Sequence, residues 1–111
     1  MQPNTIITPS PQDTIGPTII VPPGSNVALE FNFSKVFINT PSLLESVVSA
    51  TYYASSTRVV AISRSISGYA AIITLSNTLT PGETVSVNCN VIGSLGTQSG
   101  AYCWLNGLNG F

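Results

Sequence analysis

The sequence predicts an all-β fold, a Greek-key sandwich of about seven strands packed as two sheets. Short runs rich in Val, Ile, Thr and Tyr are separated by Gly, Pro and Ser turns, at roughly the 8–12 residue spacing of sandwiches and barrels. Hydrophobic residues make up 43% of the 111 positions, which is enough for a single buried core. In addition, a Pro-Gly pair followed by strict alternation of apolar and polar residues occurs twice, in residues 23–33 and 81–91.

The N-terminal region is rich in proline. Six of the eight prolines lie within residues 1–23, and proline removes a backbone donor and fixes φ. We therefore expect an extended arm over residues 1–18, with pieces of edge strand at residues 5–8 and 18–21. Such an arm either clamps a partner or folds onto its own sheet as a first edge strand, and both alternatives stay open at this point.

The middle of the chain predicts one core strand and then a group of three. Residues 27–33 alternate Val, Leu, Phe and Phe with smaller or polar residues, which is the period of a half-buried strand. A single helical turn fits residues 40–45, "TPSLLE", and is the only helix that we expect. Three strands then follow as a meander of hairpins, at residues 46–53, 57–63 and 69–75.

The second Pro-Gly turn begins the last part of the fold. It leads into a strand over residues 85–91, and a Gly-rich loop then precedes a last strand near residues 101–105. In both copies Pro followed by Gly suits a type II turn, in which glycine accepts a positive φ. We interpret the two copies as equivalent strands, one in each sheet. The alternative is a chance similarity, because a Pro-Gly turn followed by alternation is common.

The C-terminal sequence "AYCWLNGLNGF" carries aromatic residues with no obvious role in a monomer. Alternation places Tyr102 and Trp104 on one face of the last strand and the Ala, Cys and Leu beside them on the other. Residues 106–111 continue as a tail that contains Leu108 and Phe111. Either the two aromatic residues are interface anchors, or Trp104 fills the core and Tyr102 lies on the surface.

Charged side chains are scarce, at 6% of the chain, whereas Ser, Thr and Asn occupy 36 of the 111 positions. Lys35, Arg58 and Arg64 are the only cations, so a nucleic-acid partner is not expected. A net charge of −1 gives little repulsion between copies. This favours a protein that works inside an assembly, although a neutral, well-hydrated surface is the alternative.

The residues also disfavour catalysis and cofactors. There is no histidine to act as the base of a Ser or Cys nucleophile. The four carboxylates, Asp13, Glu30, Glu45 and Glu83, fall in the arm, on a strand, in a connection and in a turn, and nothing requires any two of them to meet. We therefore expect no enzyme, no bound metal and no cofactor.

Two expectations concern location and redox state. The N-terminal residues lack a basic segment followed by an unbroken apolar run, so no secretory signal is expected, and polar residues interrupt residues 84–111 too often for a membrane span. In a chain that is not exported, Cys89 and Cys103 are expected to be free, buried thiols, and a disulfide between neighbouring strands is the alternative.

The run "LEFNFSKV" at residues 29–36, followed by "LTPGETVSVNCNV" at residues 79–91, resembles the bacterial immunoglobulin-like domains. Such domains recur in cell-surface proteins and as accessory domains of tailed-phage structural proteins. The likeness covers roughly residues 19–91 and implies an immunoglobulin-like Greek-key sandwich. The chain departs from the family because no Pro follows Ser34, and from antibody domains because both cysteines fall late in the chain.

These observations predict a structural virion protein, a phage capsid decoration or cement protein that bridges capsid subunits. The expected partners are the major capsid protein or another virion protein, together with further copies of the chain in an oligomer or lattice. The alternatives are a carbohydrate- or receptor-binding module and a fragment of a bacterial adhesin. The predicted organisation is an arm at 1–18, a sandwich domain at 19–105 and a tail at 106–111. The candidate interface residues are Ile6, Ile7, Ile15, Tyr102, Trp104, Leu108 and Phe111.

Overall fold

A computed structural model describes residues 5–9, 15–37 and 45–109 of the chain. In these residues the fold is all-β, with no helix. The predicted helical turn lies almost wholly outside the described residues. The eight strands are β1 (Thr5–Ile7), β2 (Ile15–Val21), β3 (Val27–Asn32), β4 (Val47–Ala54), β5 (Val59–Ser67), β6 (Ala70–Asn77), β7 (Thr84–Gly93) and β8 (Gln98–Gly107).

The strands form two sheets of four. The first sheet has the order β1-β3-β6-β5, and the second sheet has the order β2-β8-β7-β4. Strand β1 is parallel to β3 and β2 is parallel to β8, whereas the other neighbours are antiparallel. The described parts of the N-terminal arm therefore fold onto the chain's own sandwich, and they contribute one edge strand to each sheet. This also explains why the strands number eight rather than about seven.

The core lies between the inner faces of the two sheets. Strand β3 alternates buried and half-buried residues along its whole length, as its sequence predicts, and β6, β7 and β8 alternate over most of theirs. Alternation is what a strand shows when one face packs and the other meets solvent. The largest fully buried side chains include Phe31, Phe33, Phe37, Leu29, Leu75, Leu79 and Leu105.

The two Pro-Gly copies occupy equivalent places in the two sheets. Strand β3 leaves the first turn into the first sheet, and β7 leaves the second turn into the second sheet, which confirms the prediction of one copy in each. In both turns the N–H of the fourth residue donates to the carbonyl of the first, at 3.1 Å in residues 22–25 and 3.0 Å in residues 80–83. The φ angles of Gly24 and Gly82 are 82° and 81°, as a type II turn requires.

The pairing register repeats with the turns. Val27 of β3 faces Leu75 of β6, and Val85 of β7 faces Leu105 of β8. The same pairing continues along both ladders, so each Pro-Gly turn and the strand that follows it have the same register against the neighbouring strand.

The predicted meander of three hairpin-linked strands is wrong in its first connection. Strands β5 and β6 do form a hairpin, but β4 pairs with β7 and lies in the second sheet. The physical reason is burial, because Ala50, Tyr52 and Ala54 of β4 pack against the core from the side of the second sheet. The chain therefore crosses from one sheet to the other between β4 and β5.

Candidate functional site

The sandwich has an open side where β4 of the second sheet lies beside β5 of the first. A groove of about 230 Å³ lies here between β4, β5 and β6, and we call it the edge cleft. A second depression, of about 540 Å³, continues along β4 and β5 and shares Tyr52 and Arg64 with it. The edge cleft is lined mainly by Ala50, Tyr52, Arg64, Ile66, Ala71 and Ile73.

Tyr52 and Arg64 separate the two parts of this groove. The Cζ atom of Arg64 lies 5.5 Å from the centroid of the Tyr52 ring, a cation–π arrangement. The Tyr52 hydroxyl donates to the carbonyl of Val59 at 3.5 Å. Burial raises the pKa of Tyr52, and the charge of Arg64 opposes that shift. The phenol therefore stays neutral at physiological pH, and the exposed guanidinium provides a cation that can bind a carboxylate.

Strand β5 presents apolar side chains at the end of the first sheet. Val60, Ile62 and Ile66 are 51%, 54% and 43% exposed. The strand pairs with β6 on one side and is last in the sheet order, and its register shifts by one residue between Ala61 and Ser63. This surface was not among the interface residues predicted from the sequence. The signal for it was the run "VVAISRSIS", in which apolar residues continue on both sides of an arginine.

The outer face of the second sheet carries the aromatic pair of β8. Tyr102 and Trp104 are in a T-shaped contact, with ring centroids 5.7 Å apart and planes at 86°. Their neighbours Ala101, Cys103 and Leu105 are buried in the core, and Trp104 is 36% exposed. The alternative in which Trp104 fills the core is wrong, and the alternation prediction for the two faces is confirmed.

Amide side chains flank this aromatic pair on β7. Asn88 faces Tyr102 across the ladder, and Tyr53 of β4 faces Asn88 from the other side. The Asn90 Nδ2 donates to the Asn88 Oδ1 at 2.7 Å. The Asn90 side chain lies over Gly100, where a Cβ would clash with its Oδ1. Glycine at that position thus makes room for the amide. We call this surface the amide–aromatic face, defined by Tyr53, Asn88, Asn90, Tyr102, Trp104 and Asn106.

The amide–aromatic face continues toward the end of β8. Asn106 Nδ2 donates to the Thr84 hydroxyl at 2.7 Å. Ser86 faces Trp104 on one side and Thr18 faces it on the other. A shallow depression of about 380 Å³ meets this face at Asn90, and it is lined by Ser49, Thr51, Asn90, Val91, Ile92, Gln98 and Ser99.

The other predicted interface residues are scattered. Ile6 is 58% exposed, whereas Ile7 is 2% exposed and belongs to the core, so Ile7 is not available to a partner. Inward packing of Ile7 follows from the parallel pairing of β1 with β3, which directs alternate residues into the sandwich. Ile15 is the ladder partner of Tyr102 in the β2–β8 pair, and Leu108 is 44% exposed. Phe111 lies outside the described residues.

The two cysteines are free, buried thiols. Cys89 faces Ala101 and Cys103 faces Val87, so they lie diagonally on neighbouring strands. Burial raises the pKa of each thiol to about 12. Because the thiolate is the reactive form, neither thiol is nucleophilic at neutral pH. The alternative of a disulfide is wrong.

Glu45 has a structural place that its sequence position did not suggest. Its side chain is 1% exposed and accepts hydrogen bonds from the Leu95 N–H, at 3.4 Å, and from the Thr97 hydroxyl. The carboxylate lies over Gly93, where any Cβ would clash with it. Glu45 thereby anchors the β7–β8 turn. Across the described ranges, no three His, Cys, Asp or Glu side chains come together as a metal site.

Comparison with known proteins does not identify a family for this chain. No family model and no curated protein matches the sequence. Three solved structures share 14% sequence identity with it: the 2,6-sialyltransferase of Photobacterium sp. JT-ISH-224, with a TM-score of 0.48, the secreted serine protease VesC of Vibrio cholerae, with 0.44, and Amebosin, with 0.39. In the same order, the alignments cover 98%, 81% and 96% of this chain, and they cover 19%, 21% and 99% of the chains in those structures. The chain thus spans about a fifth of the length of the first two.

Within the described part of the chain, no helix has the length and hydropathy to cross a membrane.

Proposed function

We propose that this chain is a structural virion protein, a decoration or cement protein that bridges capsid subunits, and that it does so without catalysis. The observation that carries the proposal is β5. It is a nine-residue strand at the end of the first sheet, with Val60, Ile62 and Ile66 exposed beside a groove. An exposed, apolar edge strand is a template for pairing with another chain.

The proposal includes an immunoglobulin-like Greek-key topology. Such sandwiches have strands in the orders A-B-E-D and C-F-G. Taking β1, β3, β4, β5, β6, β7 and β8 as A to G in chain order gives the same two orders, with β2 added at the edge beside β8. The parallel pairing of β1 with β3 departs from that antiparallel pattern.

Docking in this proposal occurs by strand addition. An extended segment of the major capsid protein pairs with the outer edge of β5, and its apolar side chains enter the edge cleft. A carboxylate on that segment binds the exposed guanidinium of Arg64. The described parts of the N-terminal arm pair with β3 and β8, which is why the proposal assigns docking to β5 rather than to the arm.

The scarcity of charge supports a place in a lattice. The chain has seven charged residues, three basic and four acidic, so copies repel one another weakly. A weak contact repeated over many capsid sites gives strong overall attachment through avidity. The localisation that this implies is the virion, after assembly in the host cytoplasm.

The test is co-sedimentation with capsids of the phage that encodes the chain. In Ile62→Glu a charge replaces an apolar side chain on β5, and Ile20→Glu is the matched control on β2, because the two isoleucines are 54% and 55% exposed. We expect the parent and the control to sediment with capsids and Ile62→Glu to stay in solution. Equal sedimentation of both variants, or no sedimentation of the parent, would contradict the proposal. Discovery of the sequence in frame within a longer surface protein would favour the adhesin alternative.

A further inference from the structure

We propose that the amide–aromatic face of the second sheet binds an uncharged oligosaccharide, at a site separate from the β5 edge. The face combines two features that sugar rings require of a protein surface. It has flat aromatic rings for the C–H faces of the sugar, and amides that both donate and accept for its hydroxyls.

The aromatic part is pre-organised. The edge of one ring of the Tyr102–Trp104 pair meets the face of the other, which fixes the orientation of the exposed indole. A rigid surface loses less conformational entropy when a ligand binds. Tyr53 lies two strands away from Tyr102, with Asn88 between them. At about 4.8 Å per strand, the two tyrosines are roughly 10 Å apart, which provides a second stacking position across the sheet.

The polar part is also fixed in place. The bond from Asn90 to Asn88 uses one donor and one acceptor and leaves both amides with further capacity toward solvent. A hydrogen bond to the Thr84 hydroxyl likewise orients the Asn106 amide. The absence of a Cβ at Gly100 makes room for the Asn90 amide, and the depression of about 380 Å³ beside Asn90 is lined largely by hydroxyl and amide side chains.

The neutrality of the face selects the ligand class. The outward positions that are described on β2, β4, β7 and β8 carry Thr, Ser, Asn, Gln, Tyr, Trp, Ile, Val, Pro and Gly, and none carries a charge. A phosphate, a sulfated glycan or a basic peptide would find no counter-charge there. A protein partner favours an apolar centre with a polar rim, whereas here amides surround the aromatic pair. An uncharged glycan matches both the chemistry and the flatness.

The test uses the fluorescence of Trp104, because it is the one tryptophan in the chain. The intact protein is titrated with cellotetraose, maltotetraose and tetra-N-acetylchitotetraose, with heparin as the charged comparison. We expect saturable changes with at least one neutral glycan and none with heparin. Tyr102→Ala and Asn88→Ala should each weaken binding about tenfold while the thermal unfolding curve shows that the fold is kept.

The controls separate this inference from the proposed function. Ile62→Glu should leave glycan binding unchanged, and Tyr102→Ala should leave capsid sedimentation unchanged. The inference is overturned if no neutral glycan changes the fluorescence, if heparin binds equally well, or if both face variants bind like the parent. A concentration-dependent dimer that Tyr102→Ala dissociates would assign the face to a second copy of the chain and would overturn it as well.

Discussion

The two Pro-Gly turns have the same backbone geometry, but they are held against their neighbouring strands in different ways. In both turns the glycine N–H donates to a carbonyl at the end of the neighbouring strand of the sheet. The acceptor is the carbonyl of Asn77 in β6 for the first turn, at 3.1 Å, and that of Gly107 in β8 for the second, at 2.8 Å. These two residues are therefore equivalent, yet one is an asparagine and the other has no side chain.

The first turn is braced by the buried side chain of Asn77. Its Nδ2 donates to the carbonyl of Ser25, and to that of Pro22 at 3.4 Å. Its Oδ1 accepts from the Leu79 N–H at 3.4 Å. The asparagine is 2% exposed, so these bonds are made away from water.

The second turn lies directly on the strand. A Cβ at Gly107 would clash with the carbonyl of Thr80, the atom equivalent to the Pro22 carbonyl that Asn77 bridges. A half-buried carboxylate braces this turn instead, because Glu83 accepts from the N–H and the hydroxyl of Thr80 at 3.0 and 3.1 Å. The Pro-Gly pair therefore fixes the shape of the turn, and the residue that pairs with the turn glycine fixes how closely the turn packs on the neighbouring strand.

The largest effect is expected from Gly107→Ala. The added methyl meets a backbone carbonyl, which cannot rotate away as a side chain can, so the turn must move off β8. We expect the free energy of unfolding to fall by about 3 kcal/mol in urea titrations. A loss below about 1 kcal/mol would mean that the second turn tolerates the larger separation seen in the first.

Asn77→Ala comes next, with an expected loss of about 2 kcal/mol. The substitution removes the donor to two carbonyls and the acceptor of the Leu79 N–H, and it leaves a space where the amide was. Urea titration of the variant beside the parent measures this loss. Equal stability of parent and Asn77→Ala would show that the turn needs no bracing.

Gly24→Ala and Gly82→Ala should each cost about 1 kcal/mol, and the costs should be equal. Both glycines have a positive φ, and a Cβ would meet no atom within 4 Å at Gly24 and only the Asn109 side chain, at 3.7 Å, at Gly82. Backbone strain is therefore the common cause. Thermal unfolding of the two variants side by side checks this, and a clear difference would mean that the turns are not conformationally equivalent.

The smallest effect is expected from Glu83→Gln, and it should depend on pH. The hydrogen bond from the Thr80 N–H, the hydroxyl of Thr80 and the charge of Arg58 lower the pKa of Glu83, and desolvation opposes them. Because the pKa is lowered on folding, the stabilisation is present above the ordinary value of about 4.3 and is lost as pH falls through the folded value.

The measurement is the difference in Tm between the parent and Glu83→Gln at pH 7 and at pH 3. The difference should be small at pH 7, since the carboxylate is partly open to solvent, and it should shrink toward zero at pH 3. Asn77→Ala serves as the control whose deficit persists at both values. A Glu83→Gln deficit that does not change with pH would mean that shape rather than charge braces the second turn.

Much of the fold follows from local pattern. The alternation in β3 and β7, the two type II turns and the outward direction of Trp104 were all predictable, because each depends on a strand of period two or on a glycine at positive φ. The two free, buried thiols were also expected from the sequence. The amide–aromatic face could be assembled from the sequence only in part, since Tyr53 and Asn88 meet through strand pairing.

The sheet assignment of β4 and the edge cleft could not be predicted in this way. Neither the sequence of β4, "VVSATYYA", nor that of β5, "VVAISRSIS", shows the clean alternation of apolar and polar residues that would identify its inner face. Which strand neighbours β7 depends on how the two sheets share the core, a non-local property. Ile7 illustrates the same limit, because a three-residue strand is too short for its pattern to reveal which residues face inward.

The parallel pairing of β2 with β8 has a mechanical consequence. The two strands run in the same direction along residues 15–21 and 102–107, and the Leu108 N–H extends the ladder to the Val21 carbonyl at 2.8 Å. A pull on the chain before β2 and after β8 acts along the strands in opposite senses, so it loads these hydrogen bonds in shear and all at once. An antiparallel hairpin pulled at its ends would instead unzip one bond at a time. The ladder at the edge of the second sheet is therefore arranged to resist tension that is applied along the chain through β2 and β8.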